Sequence, residues 1–147
     1  MPVTAVFLTS IVGNREIEPL EQLPEVKASH AIDFTGVGVS RAELPAGKLE
    51  GAALRFKYRV EYQPNVGEIE IEGVVIYKTD GIDEIIKSWK EERRVPERIA
   101  LECIEAITMR CTPELVYISK EVRLPPPIPY PKVSKRRKEQ QRNGGGG

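Results

Sequence analysis

The chain has 147 residues, of which 40% are hydrophobic and 30% charged, a composition typical of a globular protein in water. None of its apolar runs reaches the roughly 18 residues of a membrane span, which excludes a transmembrane helix. The first eight residues lack the basic start of a secretory signal, so we expect a cytoplasmic protein.

The net charge of zero is the sum of opposite charges on the body of the chain and on its end. The last 16 residues, 132–147, end in four glycines and carry a net charge of +5, which leaves −5 on residues 1–131. We therefore expect one globular domain over 1–131 and a basic, flexible tail over 132–147. The basic residues of the tail are Lys132, Lys135, Arg136, Arg137, Lys138 and Arg142.

Two strands are predicted in the first third of the chain. Residues 3–12 are rich in valine, isoleucine, phenylalanine and threonine, and residues 26–44 contain a second run in which apolar residues alternate. Gly36 and Gly38 interrupt the second run, which indicates a bulge at which the buried face switches. A loop is expected over 18–24 and another over 45–51.

The clearest local pattern is a β-hairpin over residues 54–77. Apolar and charged residues alternate from Leu54 to Tyr62, and Pro64, Asn65 and Gly67 then favour a turn. The return strand alternates until Gly73, where we expect a bulge or a bend. Beyond it, residues 74–77 are all apolar, which predicts burial on both faces of the sheet.

The hydrophobic period changes from 2 to about 3.6 after the hairpin. One helix is predicted over 82–94, with Asp80 or Asp83 as its N-cap or first-turn acid. A second helix begins at Pro96 and is expected to end near Pro113. Residues 114–124 fit either a third helix or an extended segment.

This order predicts an α+β domain, in which a four-stranded antiparallel sheet is followed by two or three helices packed on one face. The opposite face of the sheet then needs cover where residues 74–77 are apolar. Small domains often gain such cover by association, so we expect a homo-oligomer when the protein is free.

At this point the chain resembles the SecB-type protein-export chaperones, as a divergent member of archaeal type. The resemblance lies in the strand-then-helix order over about residues 3–129 and in two short stretches. One is Leu101–Arg110, which contains Glu-Cys-Ile and is similar to the long helix of the family. The other is Thr112–Leu115, which is similar to the Pro-x-Leu that closes that helix.

The resemblance implies a non-catalytic, oligomeric module that binds unfolded or extended polypeptide. The aromatic candidates for contact with such clients are Phe7, Phe34, Tyr117 and Tyr130. Two features depart from the family, namely the charged helix over 82–94 and a basic tail where the family has an acidic one. The tail puts partnership with the export motor in doubt, although it does not affect the fold.

No set of residues favours an enzyme, a cofactor or a metal site. His30 is the only histidine and is interpreted as a strand residue, and Gly36-Val-Gly38 lacks the third glycine of a phosphate loop. The carboxylates of residues 68, 70 and 72 are expected to pair with cations across the hairpin. Cys103 and Cys111, about 12 Å apart on one helix, are too distant for a disulfide and are predicted to be buried thiols.

An alternative hypothesis is a structural component of a ribonucleoprotein, such as the ribosome. The six basic residues of the tail could contact several RNA phosphates, although no aromatic residue after Tyr130 is present to stack on bases. Either polypeptide clients or rRNA are therefore the expected partners.

Overall fold

The structure, a computed structural model, describes residues 3–18, 22, 25–45 and 47–127. It consists of four strands followed by two helices. The strands are β1 (Val3–Arg15), β2 (Lys27–Leu44), β3 (Gly47–Gln63) and β4 (Gly67–Tyr77), and the helices are α1 (Ile82–Glu92) and α2 (Glu97–Glu121). The predicted fold class is confirmed. Neither helix in the described part of the chain is long and apolar enough to cross a membrane.

The four strands form one antiparallel sheet in the order β1-β4-β3-β2. Strands β2, β3 and β4 follow one another as hairpins, and β1 lies beside β4, which is a Greek-key arrangement. The outer strands of the sheet are therefore β1 and β2. The loop expected over 45–51 is shorter than predicted, because Gly47 already pairs with Leu44.

Both helices pack on the same face of the sheet. Helix α2 lies over β1 and β4, whereas α1 lies over β2 and β3. The buried side chains of α2 recur at every fourth position and meet the buried side chains of β3 and β4 in a single core. These residues of α2 are Cys103, Ile107, Cys111, Leu115 and Ser119.

Helix α2 passes through Pro113, so the predicted end of the helix at this residue is wrong. Proline removes one backbone hydrogen bond and crowds the preceding turn. The hydroxyl groups of Thr108 and Thr112 donate to backbone carbonyls four residues earlier, at 2.8 and 2.6 Å. Burial of Leu115 against the sheet favours continuation of the helix, so residues 114–121 extend α2 rather than forming a third helix.

The other local predictions are partly confirmed. A register shift between Phe34 and Gly36 is the expected bulge in β2, and Asn65 has the positive φ expected in the hairpin turn. Asp83 is a first-turn acid of α1, while the N-cap is Gly81 rather than an aspartate. Beyond α2, Pro125 accepts a hydrogen bond of 2.7 Å from the Tyr62 hydroxyl, which holds the described end of the chain against its own domain.

Gly73 does not form the predicted bulge in β4, since it pairs in regular register with Phe56 on β3. The irregularity lies instead in the neighbouring strand β1, between Leu8 and Ser10. A Cβ atom at Gly73 would clash first with the backbone carbonyl oxygen of Phe7 on β1 and would lie 2.8 Å from Cζ of Phe56. The glycine is therefore required because the Phe7 carbonyl oxygen and the Phe56 ring occupy the space of a side chain.

We predict that Gly73→Ala lowers the free energy of unfolding by about 1–3 kcal/mol, because the added methyl group overpacks the core. Gly38→Ala is the matched control, since it lies in a strand of the same sheet and no atom lies within 4 Å of its added Cβ. It should leave stability unchanged or raise it by up to about 1 kcal/mol. Urea unfolding of both variants tests this, and equal effects would contradict the packing argument.

Candidate polypeptide-binding surface

The face of the sheet opposite the helices, here called the open face, is not covered by any element of the described chain. On β3 and β4 it carries the residues that alternate with the core residues, so that Lys57 lies opposite Glu72 and Arg59 opposite Glu70. At the other end of the same two strands, Ala53 lies opposite Ile76. The open face thus has one charged half and one half that is apolar except for Arg55, which is exposed and lies opposite Val74.

The charged half is held together by three ion pairs between β3 and β4 and by one along β3. Nζ of Lys57 lies 3.3 Å from Oε1 of Glu70 and 3.6 Å from Oε1 of Glu72. Nη2 of Arg59 lies 3.6 Å from Oε2 of Glu70, and its Nη1 lies 3.5 Å from Glu61. The predicted cross-hairpin pairing of the carboxylates is confirmed for Glu70 and Glu72. These side chains are partly exposed, so each pair contributes at most about 1 kcal/mol.

The apolar half is built where β1, β4 and β3 lie side by side. Phe7 lies opposite Val74, and Ala5 lies opposite Ile76. Together with Ala53 these residues form the apolar patch. The Phe7 side chain is 52% exposed and Val74 is half-buried, whereas Ile76 is buried at 3% exposure. A large aromatic side chain in water beside other apolar groups indicates a contact surface.

The four aromatic candidates from the sequence do not form one groove. Phe7 lies in the apolar patch, and Phe34 is half-buried against the core on the helix side of the sheet. Tyr117 is 58% exposed on α2, on the other side of the domain. Tyr130 lies outside the described residues.

Sequence reasoning missed four other exposed large apolar side chains among the described residues. One is Val39 on β2, which lies opposite Ala52 and is 50% exposed. Val12 lies on the open face opposite Glu70, at 48% exposure. Leu101 and Met109 lie on α2 and are 61% and 73% exposed. The all-apolar run over 74–77 predicted apolar surface on the face of the sheet opposite the helices. It did not show that β1 lies beside this run.

Comparison with solved structures finds a SecB-like chaperone, Rv1957 of Mycobacterium tuberculosis, solved in complex with a ChAD peptide from the Rv1956 HigA1 antitoxin. The match covers 84% of each chain with a TM-score of 0.50 and 10% sequence identity. This chain has a SecB-like fold. At so low an identity the likeness establishes the fold alone. No protein-family model and no curated protein matches the sequence.

The SecB-like sheet holds His30 on its edge strand β2, on the helix side opposite Val60. Its Nδ1 lies 2.8 Å from the hydroxyl oxygen of Tyr58, and the two rings meet edge to face. Burial lowers the pKa of His30 and raises the pKa of Tyr58. Both groups are therefore uncharged at neutral pH, and their hydrogen bond gives His30 a partner within the sheet.

No group of three or more histidine, cysteine, aspartate or glutamate side chains able to hold a metal ion is found among the described residues. The basic residues of the tail, Lys132, Lys135, Arg136, Arg137, Lys138 and Arg142, lie outside that part of the chain. The domain boundary at residue 131 and the binding of rRNA by the tail therefore stay predictions.

The two cysteines lie on the core side of α2, are fully buried and form no disulfide, as predicted. Burial raises the pKa of the Cys103 thiol to about 12 and that of Cys111 to about 11. A thiol with so high a pKa has almost no thiolate at neutral pH, and the thiolate is the reactive form. These cysteines act as small apolar residues of the core.

We predict that neither thiol of the folded protein reacts measurably with Ellman's reagent at pH 8, and that two react at once in guanidinium chloride. Folding slows the reaction in two ways, because it blocks access of the reagent to the thiols and raises the pKa of both thiols. Rapid reaction of one thiol in the folded protein would show that α2 does not pack on the sheet as described.

Proposed function

We propose that this protein is a non-catalytic, ATP-independent module that binds unfolded or extended polypeptides, in the manner of a chaperone. The observation that carries the proposal is the apolar patch on the open face of the sheet. Additional support comes from the fold, which is shared with a chaperone solved with a bound peptide.

The chemistry of the patch suits an unfolded chain. Unfolded polypeptides expose apolar side chains, and burial of one large apolar side chain contributes about 1.5–3 kcal/mol. Phe7 and Val74 offer such contacts on a flat surface, and the ion pairs of Lys57 and Arg59 form a polar border beside them. A flat apolar surface with a polar border selects for apolar content rather than for one sequence.

A single patch of this size binds weakly, because association also costs translational and conformational freedom. Several patches acting on one client would raise the overall affinity through effective concentration. We therefore propose that the free protein is a homo-oligomer in which each copy presents its own patch to the client.

We predict that the protein suppresses aggregation of a chemically unfolded client, such as reduced citrate synthase diluted from guanidinium chloride, at stoichiometric amounts and without ATP. Phe7→Ser should weaken client binding by about tenfold, the equivalent of about 1.4 kcal/mol. Light scattering of the diluted client measures suppression. Stability should change little, because Phe7 lies outside the buried core.

Met109→Ser provides the matched control. Met109 is more exposed than Phe7, at 73% against 52%, and lies on α2 far from the patch. If general surface hydrophobicity caused the suppression, both variants would lose it. Loss in Phe7→Ser alone supports the patch, whereas a wild-type protein that leaves client aggregation unchanged would disprove the proposed function.

A further inference from the structure

Of the three basic residues that β3 places on the open face, Arg55 alone has no partner among the described residues. Lys57 and Arg59 each contact two glutamates, at 3.3 to 3.6 Å. Arg55 is exposed, and neither a hydrogen bond nor an ion pair joins it to the described part of the chain. Its guanidinium group is therefore available to an anion from outside the molecule.

Arg55 lies in a row of the open face that carries no carboxylate. Val74 on β4 and Gly36 on β2 lie directly opposite it, and Phe7 on β1 lies opposite Val74. One row across all four strands thus consists of phenylalanine, valine, arginine and glycine, and is here called the mixed row. The mixed row places an unpaired positive charge directly beside the apolar patch.

The glycines of β2 leave room for a ligand on the far side of Arg55. A Cβ atom at Gly36 would lie 3.5 Å from Cδ of Arg55 and 3.8 Å from its Cβ, so the stem of the arginine leans towards β2. A Cβ atom at Gly38 would have no atom within 4 Å. The guanidinium group is thus directed towards residues without side chains, and a flat anion can approach it there without displacing a side chain.

We propose that Arg55 selects clients by charge, so that the open face takes unfolded segments in which an acidic side chain lies close to an apolar one. The apolar side chain of the client rests on Phe7 and Val74, and its carboxylate accepts two hydrogen bonds from the guanidinium group. Arginine presents parallel N–H donors that match the two oxygens of a carboxylate. Such selection rests on the proposed function, since it names the class of client that the open face binds.

The geometry of the mixed row sets the spacing within the client. Adjacent strands are about 4.8 Å apart, and an extended chain rises about 3.3 Å per residue. An apolar side chain between Phe7 and Val74 lies about two strand spacings, or about 10 Å, from an Arg55 head group that leans towards β2. The client carboxylate is therefore expected about three to four residues from the apolar side chain.

One acidic side chain suits this surface better than a nucleic acid does. An RNA backbone carries a phosphate at every nucleotide, so it would approach the acidic side chains of the open face as well as the basic ones. On β3 and β4 this face carries three basic residues and four acidic ones. They are Arg55, Lys57 and Arg59, and Glu61, Glu68, Glu70 and Glu72.

The acidic character of the domain does not prevent this selection. At physiological ionic strength, exposed charges more than about 8 Å apart are largely screened, so the groups nearest to Arg55 decide. Glu70 and Glu72 on β4 contact Lys57. Asp33 on β2 lies opposite Lys57 and forms no ion pair with Arg55. Within the described ranges, no carboxylate competes with that of a client for Arg55.

Three matched peptides test the selection on the full-length protein. Each has eleven residues of serine and glycine with leucine at positions 3 and 5, and carries glutamate, glutamine or lysine at position 9. All three are acetylated and amidated. Titrations followed by ¹H–¹⁵N NMR measure weak affinities and identify the amides that shift. We expect the glutamate peptide to bind about fivefold more tightly than the glutamine peptide, with shifts at Phe7, Val74 and Gly36. Equal binding of these two peptides would overturn the proposal.

Arg55→Gln should abolish the preference for glutamate, and Arg55→Glu should reverse it in favour of the lysine peptide. Arg94→Gln is the matched control, because it removes the same charge from an exposed residue between α1 and α2. It should keep the full preference. Urea unfolding checks that all variants are folded, which is expected because Arg55 has no partner to lose among the described residues. A preference that survives in Arg55→Gln would contradict the role of this residue.

Two further probes identify the source of the anion. A glutamine peptide with a free C-terminal carboxylate that binds as tightly as the glutamate peptide would assign Arg55 to chain ends and overturn the choice of an acidic side chain. An oligouridine that displaces the glutamate peptide and needs Arg55 to do so would assign the mixed row to RNA, which also overturns it.

Failure of the selection is distinguishable from failure of the proposed function. If the wild-type protein suppresses client aggregation but shows no preference for glutamate, the role of Arg55 is wrong and the proposed function stands. If the protein neither suppresses aggregation nor binds any of the peptides, both are wrong.

Discussion

The packing of one long helix on one face of the sheet is the constraint on which the rest of the molecule depends. The buried stripe of α2 runs from Cys103 to Ser119 and meets alternate residues of β3 and β4. A strand directs half of its side chains away from such a layer. With two helices and four strands, the described chain can therefore bury one face only, and the open face is a direct consequence of its element count.

The elements that could be predicted from sequence are those in which a local pattern and the tertiary contacts agree. The hairpin over 54–77 alternates because one face is buried, and the turn residues between its strands restrict the same backbone. Pro113 shows the opposite case. A local rule predicts the end of a helix there, but burial of Leu115 and contacts of Ile118 with β1 at Gly13 outweigh the cost of one missing hydrogen bond.

The candidate site was less predictable because it depends on strand parity. Phe7 and Val12 are five residues apart and would lie on opposite faces of a regular strand. The register shift between Leu8 and Ser10 places both on the open face and keeps Ile11 in contact with the core. Nothing in the local sequence marks this bulge, since the residues around it are ordinary strand formers. For the same reason, Phe34 could be identified as a strand residue but not assigned to the helix side.

The apolar patch would recognise a client through its side chains. Burial of apolar side chains gives free energy in proportion to apolar area, so the patch selects apolar content. A folded protein seldom exposes a contiguous group of large apolar side chains. The patch would thus distinguish unfolded from folded chains without reading any particular sequence.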